Sequence, residues 1–286
     1  MVKKTKVVKD KKIVMKVVTL DQISLKALTE VWNLCWSQSL MKGTDTQPYL
    51  KVEHLKAYLL IHKIALPYSI GLTVNGELIG FSFLGINKED AWIGSLGILP
   101  WCRGKGLSRV LLSNQLSICD KMRLRHLSLE VDKNNFVSKV YRSFGFQTER
   151  ELTHFVLSKK ELYYLDVYRY DQYCYQKVST DSYFAVRKMQ GNLYPWKRKD
   201  YILKNYKKTA CYLGPEGASG YILQGGGMVI DIWAVSGSFA RSTLSSISGH
   251  LDTIRINNQI RDPVAGYLLD RSIEPVGIHF EMSRNS

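Results

Sequence analysis

The stretch Leu96-Gly97-Ile98-Leu99-Pro100-Trp101-Cys102-Arg103-Gly104-Lys105-Gly106-Leu107-Ser108 decides the fold. It opens as an apolar strand, stops at a proline and turns through two glycines. It then enters a helical pattern carrying Leu107, Val110, Leu111, Leu112, Leu116, Ile118 and Met122. Glycines let a loop of this kind turn tightly, so that successive N–H groups and the positive end of the helix converge on one spot. That spot suits a phosphate or pyrophosphate, with Arg103 and Lys105 as mobile positive charge. Two well-known loops do not fit. A P-loop needs Gly at position 99 and Ser or Thr after Lys105, where the chain has Leu99 and Gly106. A dinucleotide fingerprint needs a third glycine at position 109, which is Arg109.

Upstream, strands are expected at Val14 to Val18 and Trp92 to Leu99. A helix is expected from Asp21, with Leu25, Leu28, Val31, Trp32, Cys35 and Trp36 on one stripe, and another from Lys51 to His62. Asn75-Gly76 between Ser69–Val74 and Leu78–Ile86 signals a hairpin. Downstream come a strand at Leu127–Val131, a helix at Asn135–Phe144 and a strand at Phe146–Leu157. After a Tyr-rich connection the order recurs in weaker form: a strand at Phe184–Met189, a helix near Lys199–Lys207, a hairpin at Tyr221–Ala234, a helix at Phe239–Leu251, a strand at Thr253–Ile256, a helix at Pro263–Leu269 and a strand at Gly277–Met282. Gly80-Phe81-Ser82-Phe83 before Trp92 parallels Gly220-Tyr221-Ile222-Leu223 before Trp233, and Val137–Phe155 parallels Ala265–Phe280, which points to an internal duplication.

With 286 residues, 45% hydrophobic and 23% charged, the composition is that of a globular α/β chain of one large or two ordinary domains. No apolar run reaches membrane-spanning length, and neither a secretory signal nor membrane attachment is expected, so the expected location is cytoplasmic. Five scattered cysteines without a Cys-x-x-Cys pair, and six scattered histidines, predict free thiols and no metal. The net charge of +15 points to polyanionic partners. Seven lysines against Asp10 in Met1–Lys16 supply part of it, leaving about +9 for the remainder.

Arg103-Gly104-Lys105-Gly106-Leu107-Ser108, after Leu96-Gly97-Ile98-Leu99-Pro100, resembles the Gln/Arg-x-x-Gly-x-Gly/Ala coenzyme A loop of the GNAT superfamily of N-acetyltransferases, with Ser108 in place of Gly/Ala. Leu129-Glu130-Val131-Asp132, then Asn134 or Asn135, Tyr141 and Gly145-Phe146, resemble its second signature; the spacing to Tyr141 picks Asn134 and the spacing from the strand picks Asn135. The resemblance covers residues 14 to 157, and a fainter one to tandem-domain members covers the rest.

It implies a tandem GNAT fold: a basic tail at 1–12, a catalytic domain at 13–160, a connection at 161–180 and a degenerate second domain at 181–286. It implies acetyl-CoA held by Leu96, Ile98 and residues 103–108, with Asn134 and Asn135 nearby. Transfer goes to a primary amine by direct attack, another short acyl group being the near alternative. Tyr141 is expected to assist the departing thiolate; the competing reading is a helix-end aromatic packed on Phe144 and Phe146. Glu130 is either the general base or a residue facing solvent or paired with Lys139 or Arg142. Trp32, Trp36 and Tyr49 are expected to line the acceptor site, although Trp at helical spacing also suits a core. Leu269 takes the place of Tyr141 in the second half, which also lacks the basic loop. The rival class is a non-catalytic acyl-CoA-, polyanion- or nucleic-acid-binding protein on this scaffold, without an aromatic-basic RNA signature to reinforce it. The oligomeric state stays open.

Overall fold

The computed structural model describes residues 14–41, 49–169 and 175–285. Most of the lysine tail lies outside them. In chain order the elements are β1 (Met15–Thr19), α1 (Leu25–Met41), α2 (Val52–Ile61), β2 (Ile70–Val74), β3 (Glu77–Asn87), β4 (Asp90–Ile98) and α3 (Leu107–Lys121). There follow β5 (His126–Asp132), α4 (Val137–Ser143), β6 (Gln147–Leu157), α5 (Lys159–Tyr164), β7 (Gln176–Val178), α6 (Thr180–Met189) and α7 (Asp200–Leu203). The chain closes with β8 (Thr209–Leu213), β9 (Ser219–Gln224), β10 (Met228–Ala234), α8 (Gly237–Ser248), β11 (Ile254–Gln259), α9 (Pro263–Leu269) and β12 (Gly277–Asn285).

Two compact units result. The first holds the described residues up to Ala57 with Ala65–Leu84 and Ser95–Met122. Its strands run in the order β1-β2-β3-β4. Asn75 (φ 52°) and Gly76 (φ 89°) make the two-residue turn between β2 and β3, both left-handed as a tight hairpin of this type requires. An aromatic core forms where Trp32 stacks on Phe81 (5.5 Å) and Phe83 (5.6 Å).

The second unit comprises Tyr58–Ile64, Gly85–Gly94 and Arg123–Ser286. Here β5, β12, β6 and β11 lie side by side, and β10-β9-β8-β7 form a separate antiparallel sheet. The last strand of the chain inserts between β5 and β6, antiparallel to both. The pairings are self-related: an offset of 125 residues takes Val131 to Ile256 and Phe155 to Phe280, and both Val131↔Phe280 and Ile256↔Phe155 are partners. The two halves of the repeat therefore exchange their equivalent strands β6 and β12 about a local two-fold axis near Thr153↔Ile278. A large apolar core joins Phe155, Leu157, Tyr221, Leu244, Ile256 and Leu268.

Two expectations change. Phe184–Met189 is not a strand but the end of α6, because Ser179 caps that helix by accepting from the Ser182 N–H (3.1 Å) and places Tyr183, Phe184 and Arg187 on its buried face. The counterpart of Tyr141 is not Leu269. Helices α4 and α9 have equal length, and Tyr141 and Tyr267 each stand fifth.

A charged knot lies at the centre of the second unit. Asp231, wholly buried, accepts from Arg187 Nε (2.6 Å), Arg198 Nη2 (2.8 Å) and the Tyr183 hydroxyl (2.8 Å). Burial alone would raise its carboxyl, but the charges of Arg187 and Arg198 outweigh burial and hold it below its ordinary value. Removing one partner leaves buried cations without compensation. Asp231→Ala is expected to lower unfolding free energy by about 3–5 kcal/mol in urea titration; a loss under about 1 kcal/mol would show that the knot is not needed.

Candidate active site

In the first unit, Gly104 (φ 77°) and Gly106 (φ 72°) both adopt left-handed backbone, which a side chain would disfavour. Gly106 is the N-cap of the fifteen-residue α3, and no side chain caps that end. The first N–H groups of the helix are thus available to an anion at the positive end of the dipole. Lys105 is exposed beside them, and Leu107 and Ser108 are half-buried. Arg103 corrects an expectation. Its guanidinium is not mobile but turned onto backbone, Nε donating to the Ile98 carbonyl (3.0 Å) and Nη2 to the Cys35 carbonyl (2.5 Å), so that it braces the loop. Burial pushes the Cys35 thiol up to about 12, against the opposing charge of Arg103, leaving it inert. The half-buried Leu96 and buried Ile98 end β4.

Of the expected acceptor-site aromatics, Trp32 is a core residue at 6% exposure, held by its stacking on Phe81 and Phe83. Trp36 is half-buried and stacks on Phe81 (6.2 Å), whereas Tyr49 is exposed.

In the second unit, β4 pairs in parallel with β5 from Asp90↔His126 to Ile93↔Leu129. Tyr141 is buried, its ring edge-on to Phe146 (5.9 Å), and burial pushes its hydroxyl up to about 12. The packing reading thus holds for Phe146 and leaves the hydroxyl protonated at neutral pH. The two asparagines divide. Asn135 Oδ1 accepts from the Val137 N–H (3.0 Å) and opens α4, whereas the Asn134 backbone N–H donates to Asp132 Oδ1 (2.7 Å) and its side chain is exposed.

Glu130 neither faces solvent nor pairs with Lys139 or Arg142. Its side chain is 4% exposed, and Oε2 accepts from Lys197 Nζ (2.7 Å) and Asn258 Nδ2 (2.9 Å). Oε1 is buried with no partner among the described residues. Glu281 sits opposite Glu130 in the β12–β5 register and takes a hydrogen bond from Arg150 Nε (2.6 Å). Burial raises its carboxyl despite that partner. His154 and His279, equivalent under the 125-residue offset, meet with ring centroids 4.4 Å apart, and Asn257 Oδ1 stands 3.3 Å from His154 Nδ1. Burial, then the neighbouring His279, lowers His154 to about 4.

Sequence reasoning missed Lys197, Asn258 and the histidine pair. Asn258 sits at the register shift between Ile256 and Gln259 in β11, a long-range feature without a sequence motif. Lys197 lay in the basic run Trp196-Lys197-Arg198-Lys199, which carried no motif.

The loop and strand order place the chain in a class by fold, and comparison with known proteins gives the same class. Residues 25–146 match the Acetyltransferase (GNAT) family. Over 84 residues the chain is 33% identical to a candidate ribosomal protein bS18-alanine N-acetyltransferase of Bacillus subtilis (strain 168), a match covering 28% of this chain and 56% of that protein. The chain thus spans little more than half of that curated relative. Among solved structures, a candidate acetyltransferase from Pyrococcus horikoshii aligns with TM-score 0.68 at 13% identity, covering 99% of this chain and 92% of that one. A tandem GNAT protein from the clavulanic acid biosynthesis pathway aligns with TM-score 0.63 at 11% identity, covering 96% and 98%. The fold is therefore a GNAT fold whose likeness to a tandem member runs over nearly the whole chain. Among the described residues no group of three His, Cys, Asp or Glu could hold a metal ion, and no helix is long and apolar enough to cross a membrane.

The buried histidines make stability pH-dependent. His62 is lowered to about 3, by burial and then by the charge of Lys197, and His154 to about 4. In the unfolded chain both take a proton near pH 6.5, so the unfolded state binds more protons below that value and stability falls with pH from about 6.5 toward the folded values. At pH 5 each contributes a loss of about 2 kcal/mol relative to pH 7. Urea melts should show His62→Gln and His154→Gln each shrinking the pH 7-to-5 loss by roughly that amount; an unchanged loss in both would remove them as the cause.

Proposed function

We propose that the chain is an N-acetyltransferase that transfers the acetyl group of acetyl-CoA to a primary amine. The observation that carries the reading is the Gly104–Gly106 turn into an uncapped α3 within the residues that match the GNAT family. When bound, acetyl-CoA supplies a thioester whose acetyl group passes to the amine nitrogen as the carbon–sulfur bond breaks. Backbone N–H groups of residues 104 to 108 hold its pyrophosphate, with Lys105 alongside. The part of β4 beyond Ile93, with Leu96 and Ile98, offers backbone to the pantetheine, and N–H groups near Ile98 stabilise the charge developing on the carbonyl oxygen.

The family resemblance assigns Tyr141 to assist the departing sulfur. Raised to about 12 against a thiol near 8.5, complete proton transfer from it is uphill by about 5 kcal/mol. Its contribution is a hydrogen bond to the sulfur as negative charge grows there. Glu130 takes the proton that the amine nitrogen loses. Residues 13–160 supply these groups, 181–286 form a degenerate repeat, and Trp36 and Tyr49 are assigned to the acceptor by the family resemblance.

The acceptor that fits is an α-amine. Freeing an α-amine near pKa 8 of its proton at pH 7 costs about 1.4 kcal/mol, against about 4.6 for a lysine near 10.4. The Bacillus subtilis relative, named for acetylating an alanine, supports the same class.

Acetyl-CoA at millimolar concentration should raise the melting temperature, and amine-library acetylation should favour free N-terminal amines over lysine side chains. No thermal shift would refute the enzyme reading. Tyr141→Phe should lower turnover about tenfold or more with acetyl-CoA affinity nearly unchanged; unaltered turnover would remove Tyr141 from the chemistry.

A further inference from the structure

Glu130 is held on one oxygen and presented on the other. Lys197 and Asn258 both donate to Oε2, while Oε1, buried, has no partner among the described residues. An unpaired buried carboxylate oxygen is costly unless a transient donor fills the place. We propose that Lys197 is a positioning residue, which together with Asn258 fixes the rotation of the Glu130 carboxylate so that Oε1 meets the proton-bearing nitrogen of the acceptor amine, directly or through one water. The inference rests on reading Glu130 as the base.

Lys197 is itself fixed from three sides. Before it, Trp196 stacks on Trp92 with centroids 5.9 Å apart and planes 9° from parallel. After it, Arg198 is tied to Asp231, to the Ile232 carbonyl (2.6 Å) and to Gln259 Oε1 (2.7 Å). Next, Lys199 Nζ reaches Asp90 Oδ2 (3.1 Å). The Lys197 ammonium lies 5.5 Å from the centre of the Trp92 ring while it donates to Glu130. Asn258 reaches the same oxygen from the bulge in β11, with left-handed backbone at φ 53°. Both groups that orient the carboxylate thus come from the second half of the chain, which lacks the basic loop.

The test is a double-mutant cycle in the full chain with the best amine from the screen. Lys197→Met is expected to lower kcat about tenfold or more with acetyl-CoA KM unchanged, because a misaimed base loses turnover rather than cosubstrate binding. Lys197→Arg should retain turnover within about threefold, and Asn258→Gly, which keeps the left-handed backbone, should lower kcat in the same direction. In a Glu130→Gln background, Lys197→Met should change kcat less than about twofold, since nothing remains to aim. If Glu130→Gln lowers turnover to a measurable residual rate and the Lys197→Met loss is the same in both backgrounds, the positioning role is overturned while the base reading stands. If Glu130→Gln turns over like wild type, the base reading falls and takes this proposal with it. Asn258→Gly and Lys197→Arg keep the question open to refutation should Lys197→Met fail to fold: full activity in Asn258→Gly together with loss in Lys197→Arg would overturn the shared-oxygen geometry.

Discussion

The constraint on which the second unit depends is the double pairing of β12. One strand satisfies backbone groups of β5 on one side, from His279↔Asp132 to Asn285↔His126, and of β6 on the other, from Gly277↔His154 to Ser283↔Gln147. Without it, two inner edges of the sheet would present unpaired N–H and C=O groups. The same insertion brings Glu281 opposite Glu130 and His279 beside His154, so the polar cluster around the candidate base is a direct product of register. A one-residue slip would send that whole set of side chains to the opposite face.

Order within the cluster comes from farther along the chain. Asp231 draws in Arg187 and Arg198, Arg198 pins the segment around it, and that segment lays Trp196 on Trp92 and Lys197 on Glu130. Electrostatics inside a protein are strong only where the groups are both desolvated and fixed. Here fixing one buried carboxylate by two guanidinium groups lets a second carboxylate be held by a single ammonium and an amide.

Much of this was legible from the residues. The Gly104 and Gly106 turn, the Asn75-Gly76 hairpin and the apolar stripe of α3 are local, and local signals are what periodicity and turn chemistry read well. The parallel between Val137–Phe155 and Ala265–Phe280 was visible too, although it misplaced the tyrosine by two residues because the loops flanking α4 and α9 differ in length. What could not be read was long-range. Arg103 looked like a free cation because its acceptors are backbone carbonyls of Ile98 and Cys35, which carry no sequence signature. Lys197 is 67 positions from Glu130 and Asn258 is 128, and nothing local announces either contact.

The exchange of strands also sets an order of events in time. β6 ends at Leu157 and β12 begins at Gly277, so roughly 120 residues are made between them, which takes on the order of 6 to 24 seconds at ribosomal speed. Until β12 is made, β5 and β6 lack the strand that pairs their facing edges, and unpaired strand edges can recruit an extended peptide. Fidelity during synthesis thus depends on keeping those edges free until their own strand arrives, a demand on the nascent chain that the finished structure no longer displays.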